Sequence, residues 1–247
     1  MTDETNPDIA AATARADAEM PVMAQDAERS RGRYVYTRDG APVGVDERFV
    51  LGEIAPGVVR VRSTRITASP TARLEVDVRV TATGSDAVVR WVGSAPGVAR
   101  AARAEYAAAG GAVVVTREVD GVVHDAVTVP GASYPLMRVF TGPLVVASVP
   151  GLDLVVPDVA DPTDLERFLG PVTSSRTAEV LGDRAVVVDG VEHEGTAYRW
   201  IGGAYGEDGA EFVVDRGGLL LAYAVTQPSG RWEVALAQVS GPWVRWR

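Results

Sequence analysis

Between Leu74 and Val80 the chain alternates without a fault: apolar at 74, 76, 78 and 80, charged at 75, 77 and 79. A period of two is the pattern of a β-strand with one dry face and one wet face, whereas a helix would scatter these side chains around its circumference. The dry face needs a partner, so a strand of this kind commits its neighbours to an antiparallel sheet folded over a core. The same texture recurs on both sides. Tyr34–Thr37, Val43–Leu51, Val58–Ile66, Ala87–Val92, Val98–Tyr106, Val113–Val119 and Val122–Val129 read as strands in the first half, although the alanine-rich Val98–Tyr106 also suits a helix. Asp39-Gly40 and Asp120-Gly121 supply the positive φ angles of two-residue hairpin turns.

The second half repeats this with Thr177–Leu181, Ala185–Val188, Gly195–Ile201, Ala210–Asp215, Leu219–Val225 and Trp232–Val239. Gly182-Asp183, Asp189-Gly190, Gly202-Gly203, Gly217-Gly218 and Ser229-Gly230 separate them. Short strands at turn-spaced intervals predict an all-β, mainly antiparallel barrel or half-barrel. One helix is expected at about 161–169: a capping Asp161, Pro162 at the first helical position, Leu165, Phe168 and Leu169 on one face, and Gly170-Pro171 as a stop. Its apolar face should dock on the sheet or plug the barrel mouth. Residues 1–30 are rich in Ala, Asp and Glu and read as an arm, helical in part, that packs on the body or on a second copy; residues 31–247 form the barrel-like domain.

Composition removes whole classes of function. The formal charge is −9, which opposes a nucleic-acid groove or an anionic membrane surface. All basic residues are Arg, so Schiff-base chemistry and a phosphate-loop lysine are absent. There is no Cys, hence no thiolate nucleophile, disulfide or Cys-ligated metal, and the two His lack metal-motif spacing. No metal and no cofactor are expected. No run approaches 18 apolar residues, and the acidic N-terminal stretch has no apolar signal core, so the sequence reads as cytoplasmic with no membrane span.

The candidate site residues come from strand faces. Thr196, Tyr198 and Trp200 share one face; Leu219, Leu221, Tyr223 and Val225 line a nearby strand; Trp232, Val234 and Leu236 line the next. If these faces converge they form either plain core or an apolar cavity with Tyr hydroxyls and Trp N–H groups as polar handles. Thr196, Trp200, Leu219, Leu221 and Trp232 are the ligand-binding candidates. Tyr198, Tyr223, His124 and Glu192 are the acid–base candidates, with a packed or rim position as the alternative for His124.

Two groups of residues carry a resemblance. Tyr34-x-Tyr36 followed by Gly40-x-Pro42-Val43-Gly44 resembles the opening hairpin of bacterial lipocalin-like half-barrels. Gly195-Thr196-x-Tyr198-x-Trp200, then Phe212-Val213-Val214-Asp215-x-x-Gly218-Leu219-Leu220-Leu221-x-Tyr223, is similar to their later strand, hairpin and return. That group includes the LolA/LolB-like lipoprotein carriers and related bacterial domains of unknown function. The resemblance implies a long antiparallel sheet wrapped around a helix and holding lipid or another apolar ligand. The chain departs from the pattern in lacking a signal peptide and a lipobox Cys. Two functions are thus expected in competition. One is a cytoplasmic binder of an apolar or amphipathic small molecule. The other is a cofactor-independent cyclase, isomerase or dehydratase acting on such a molecule.

Overall fold

The computed structural model describes residues 30–68, 71–81, 84–95, 97–130 and 151–241. Among them are fourteen strands: β1 (Ser30–Arg38), β2 (Ala41–Ala55), β3 (Val58–Ala68), β4 (Thr71–Thr81), β5 (Gly84–Ala95), β6 (Val98–Ala109), β7 (Ala112–Val119), β8 (Val122–Pro130), β9 (Gly151–Pro157), β10 (Pro171–Val188), β11 (Val191–Ile201), β12 (Ala210–Asp215), β13 (Leu220–Gln227) and β14 (Gly230–Ser240). The expected arm lies outside the described residues, apart from Ser30 at the start of β1.

All fourteen join one antiparallel sheet in the order β8 to β1, then β14 to β9. Each strand pairs with its neighbour in sequence, and β1 also pairs with β14. The order is therefore cyclic, with one gap, between β8 and β9. The sheet is a nearly closed all-β barrel. Three Asp-Gly turns work as the sequence predicts: Asp39, Asp120 and Asp189 sit at φ 50–51° and the glycines after them at φ 78–80°. β6 is a strand throughout, because Ala102, Ala104 and Tyr106 alternate into the interior.

Two expectations need correction. Gly182-Asp183 is no turn: β10 runs unbroken through it, with a register shift between Val180 and Gly182, so a bulge and the left-handed Gly182 bend one long strand. The segment 161–169 is no helix but a series of turns. Asp161 caps locally, its carboxylate accepting from the Thr163 N–H at 2.8 Å. Only one backbone bond then has α-helical spacing, from the Phe168 N–H to the Asp164 carbonyl at 2.8 Å. Four of the segment's carbonyls are claimed from outside. The Arg117 guanidinium donates to those of Leu165, Glu166 and Phe168, and the Tyr106 hydroxyl to that of Leu169, which is itself left-handed at φ 56°. Docking is as expected: Phe168 and Leu169 are buried, and the Phe168 ring meets Trp91 edge-on at 5.1 Å.

Partnered residues of antiparallel strands share a face. Registers across β11, β12, β13, β14 and β1 therefore trace two inward rows. One runs Tyr198, Phe212, Tyr223, Val234. The other runs Trp200, Ala210, Val225, Trp232, with Arg38 opposite Trp232. These rows build the wall on which the site rests.

Candidate functional site

The inner wall opens into a cavity of about 840 Å³. β1–β3 contribute Tyr36, Val45, Arg65 and Thr67; β13 and β14 contribute Tyr223, Val225, Trp232 and Val234. Facing them are the end of β9, the loop Asp158–Ala160, the start of β10 from Val172 to Arg176, and the turn bearing Gly203 and Tyr205. The valines come from strict strand alternation. The polar groups come from the same alternation, where a charged side chain replaces an apolar one at an inward position.

Glu47 is the first such replacement. Val45, Glu47, Phe49 and Leu51 alternate on one face of β2, and Glu47 is 1 % exposed. Its carboxylate accepts from the hydroxyls of Tyr36 and Ser63, the latter at 3.1 Å, and it pairs in register with Arg65. Burial pushes the Glu47 carboxyl above its ordinary value, while Tyr36, Arg65 and Ser63 pull it down. Burial and the neighbouring Glu47 carboxylate likewise raise the Tyr36 hydroxyl. Tyr36 thus stands in the cavity wall with a buried carboxylate behind it.

Arg176 is the second. It is 9 % exposed; its Nε donates to Ser174 Oγ at 3.0 Å. The guanidinium carbon lies 4.5 Å from the centre of the Trp200 ring and 5.0 Å from that of Tyr205, contacts of cation–π range. Burial lowers its ordinary affinity for the proton and the Tyr205 and Tyr223 hydroxyls oppose this, but an arginine of this kind keeps its charge. Gly203 makes room for it. A Cβ there would collide with Ser174 Oγ and come within 2.9 Å of Arg176 Nε, and the backbone is left-handed at φ 58°. The glycine-rich turn after β11 is thus a single 3₁₀ turn, Gly203–Tyr205, shaped around a cation.

Of the residues singled out in the sequence, Tyr223 and Trp232 line the cavity. Trp200 lies beneath it: it is 1 % exposed, its Nε1 is buried without a hydrogen-bond partner, and it touches the cavity through Arg176 and Tyr205. Tyr198 is half-buried and stacks on Phe212 at 5.3 Å, one ring further in. Thr196 is half-buried beside Val214. Leu219 and Leu221 are buried but do not line the cavity. A register shift places Leu220, not Leu221, opposite Val214, and a Cβ on Gly195 would meet Leu221 and Val213. Leu221 is therefore off the face of Tyr223 and Val225. His124, opposite Arg117 on the edge strand β8, and the exposed Glu192 at the β10–β11 turn do not line the cavity either. Among the described residues no three His, Asp or Glu side chains gather as a metal site.

Glu47, Arg65 and Arg176 were not singled out from sequence. For Glu47 a signal existed: one carboxylate in the middle of an otherwise apolar strand face. For Arg65 it was weaker, since its face of β3 turns from Val59 and Val61 to Ser63 and Thr67. For Arg176 none existed, because its burial comes from the turn at Gly203 folding over it.

No family model matches the chain, and no curated protein matches it in sequence. Among solved structures, the chain is similar to a β-barrel-like protein of a domain of unknown function, DUF1849, from Brucella abortus, at 12 % identity and a TM-score of 0.52. The match covers 87 % of this chain and 98 % of that one, so the barrel-like architecture is shared over nearly the full domain. A proposed outer membrane lipoprotein-sorting protein domain from Vibrio parahaemolyticus aligns over 94 % of this chain and 91 % of its own at 10 % identity, but its TM-score of 0.17 carries no argument. No described helix is long and apolar enough to cross a membrane.

Proposed function

We propose that the chain is a binder of an apolar or amphipathic small molecule, held inside the barrel, and that it works in the cytoplasm. The observation that carries the reading is the cavity itself. At about 840 Å³, walled by Val45, Val225, Val234, Trp232 and Tyr223, it has the size and mixed lining of small-molecule sites. The cysteine-free composition accords with the location. The test is a native mass spectrum of the purified protein, followed by titration of a ten-carbon alcohol into protein freed of any bound molecule. One alcohol per chain is expected to bind, and Trp232→Ala to weaken it about tenfold with melting little changed. Absence of binding by the intact barrel would reject the reading.

A second reading has one observation in its favour. The hydrogen bond from Tyr36 to the buried Glu47 places an acid–base pair on the cavity wall, which suits a cofactor-independent cyclase, isomerase or dehydratase. It is separated from the first by turnover: a co-purified molecule returned unchanged after prolonged incubation with fresh protein favours binding alone.

A further inference from the structure

Buried arginines ordinarily meet a carboxylate, because an unpaired charge away from water is costly. Several partly buried arginines of this barrel follow the rule. Arg60 and Arg62 share Asp77 at 2.5 and 3.3 Å, and Arg73 meets Glu75 at 2.5 Å. Arg65, at the cavity, stands opposite Glu47 in the ladder. Arg117 instead meets three backbone carbonyls of the 158–170 loop, and Arg176 is a further exception. Among the residues whose side chains are described, no Asp or Glu forms an ion pair with it within 4.0 Å. Its neighbours are two aromatic faces and the hydroxyls of Ser174 and Tyr205. Asp158, the acid in the cavity lining, is engaged elsewhere: it pairs with Arg167 at 3.3 Å and accepts from the Ala160 N–H at 3.0 Å.

A guanidinium has five N–H donors in a planar fork. Here the fork lies over the faces of Trp200 and Tyr205, its Nε is anchored on Ser174, and the residue lines the cavity. These contacts orient the group without neutralising it. Gly203 lets the turn approach Ser174 and Arg176 closely. Such a group is preorganised for a planar oxyanion, and among the described side chains no anion is paired with it.

We propose that the molecule held in this cavity carries a carboxylate at one end, received by the Arg176 guanidinium, with its apolar chain against Tyr223, Val225, Trp232 and Val234. The proposal rests on the binding reading above and narrows it to monocarboxylic amphiphiles. One uncompensated cation matches one negative charge; a doubly charged phosphate would leave the second charge unmet. The bond is a charge-assisted, two-pronged contact in a site shielded from water, where such contacts are strongest.

The test uses the full chain and three ten-carbon probes, decanoate, 1-decanol and decyltrimethylammonium, titrated calorimetrically. Decanoate is expected to bind at least tenfold more tightly than decanol, and the ammonium more weakly than either. In Arg176→Met decanoate should fall to the level of decanol while decanol stays as in the parent. Arg176→Lys, which keeps the charge and loses the fork, should retain only part of the preference. Equal binding of decanoate and decanol by the parent protein would overturn the carboxylate assignment and leave the apolar cavity standing. Failure of all three probes would remove both. Equal weakening of decanoate and decanol by Arg176→Met would show that the arginine only supports the wall. If that variant does not fold, the parent's preference and the Arg176→Lys result decide.

Discussion

Glu47 shows what a single side chain costs and allows inside a sheet. Its carboxyl is held above its ordinary value of 4.5 chiefly by burial. The native state therefore keeps the Glu47 proton to higher pH than the unfolded chain does. Where the native state binds more protons, stability falls as pH rises. The contribution of Glu47 is therefore fully present below about 4.5 and lost as pH climbs through the raised native value. Glu47→Gln keeps an acceptor for Tyr36 and Ser63 but cannot ionise. Denaturant melts in steps from pH 4 upward should show the parent losing stability relative to Glu47→Gln, and the two curves drawing together at the acid end. Parallel curves across the range would mean that Glu47 titrates alike in the native and unfolded chains, and a parent that gains on Glu47→Gln as pH rises through about 4.5 would mean that the carboxylate is held charged beside Arg65.

At the scale of elements, the loop from Asp158 to Gly170 is held less by its own backbone than by two strands it lies against. Arg117 on β7 donates to three of its carbonyls and Tyr106 on β6 to a fourth. Arg117→Met keeps the aliphatic stem and removes every donor. It should destabilise the protein by about 2 kcal/mol, and amides of residues 158–170 should exchange faster while those of β4 and β5 hold their protection. Uniform acceleration across the sheet would show that the loop is an integral part of the core. The loop also marks where sequence reading ends. Asp161, Pro162 and the apolar triad are genuine helix signals, and they lose because the carbonyls have better partners across space than along the chain. β9 was not read as a strand: it is bounded by Gly151 and Pro157, lies at a sheet edge and offers few residues to alternate. Most of the other strands announce themselves by period and by turn chemistry, which are local, but β10 reads as two strands parted at Gly182-Asp183 and β6 leaves a helix open. The bulge at Leu221, the burial of Arg176 and the depth of Trp200 depend on partners far along the chain, and local pattern is silent about them.

For the whole molecule, all fourteen described strands lie downstream of residue 29, and folding is expected to need nothing before Ser30. Deleting residues 1–29 should leave a β-type circular dichroism spectrum and one cooperative melt; loss of that melt would place the arm in the core. The cyclic strand order has another effect. β1–β8 and β9–β14 are two meanders built from hairpins between neighbours, and among the described strand pairings only β1–β14 joins them, with Tyr34 set against Leu236. During synthesis the first strand leaves the ribosome with one side unmatched. It stays so until β14 is made. A raw edge of this kind invites pairing with other chains, and long-range closure is slow. The growing polypeptide thus carries this raw edge through the synthesis of β2 to β13, and any truncation that removes Gly230–Ser240 should yield aggregates rather than a smaller barrel.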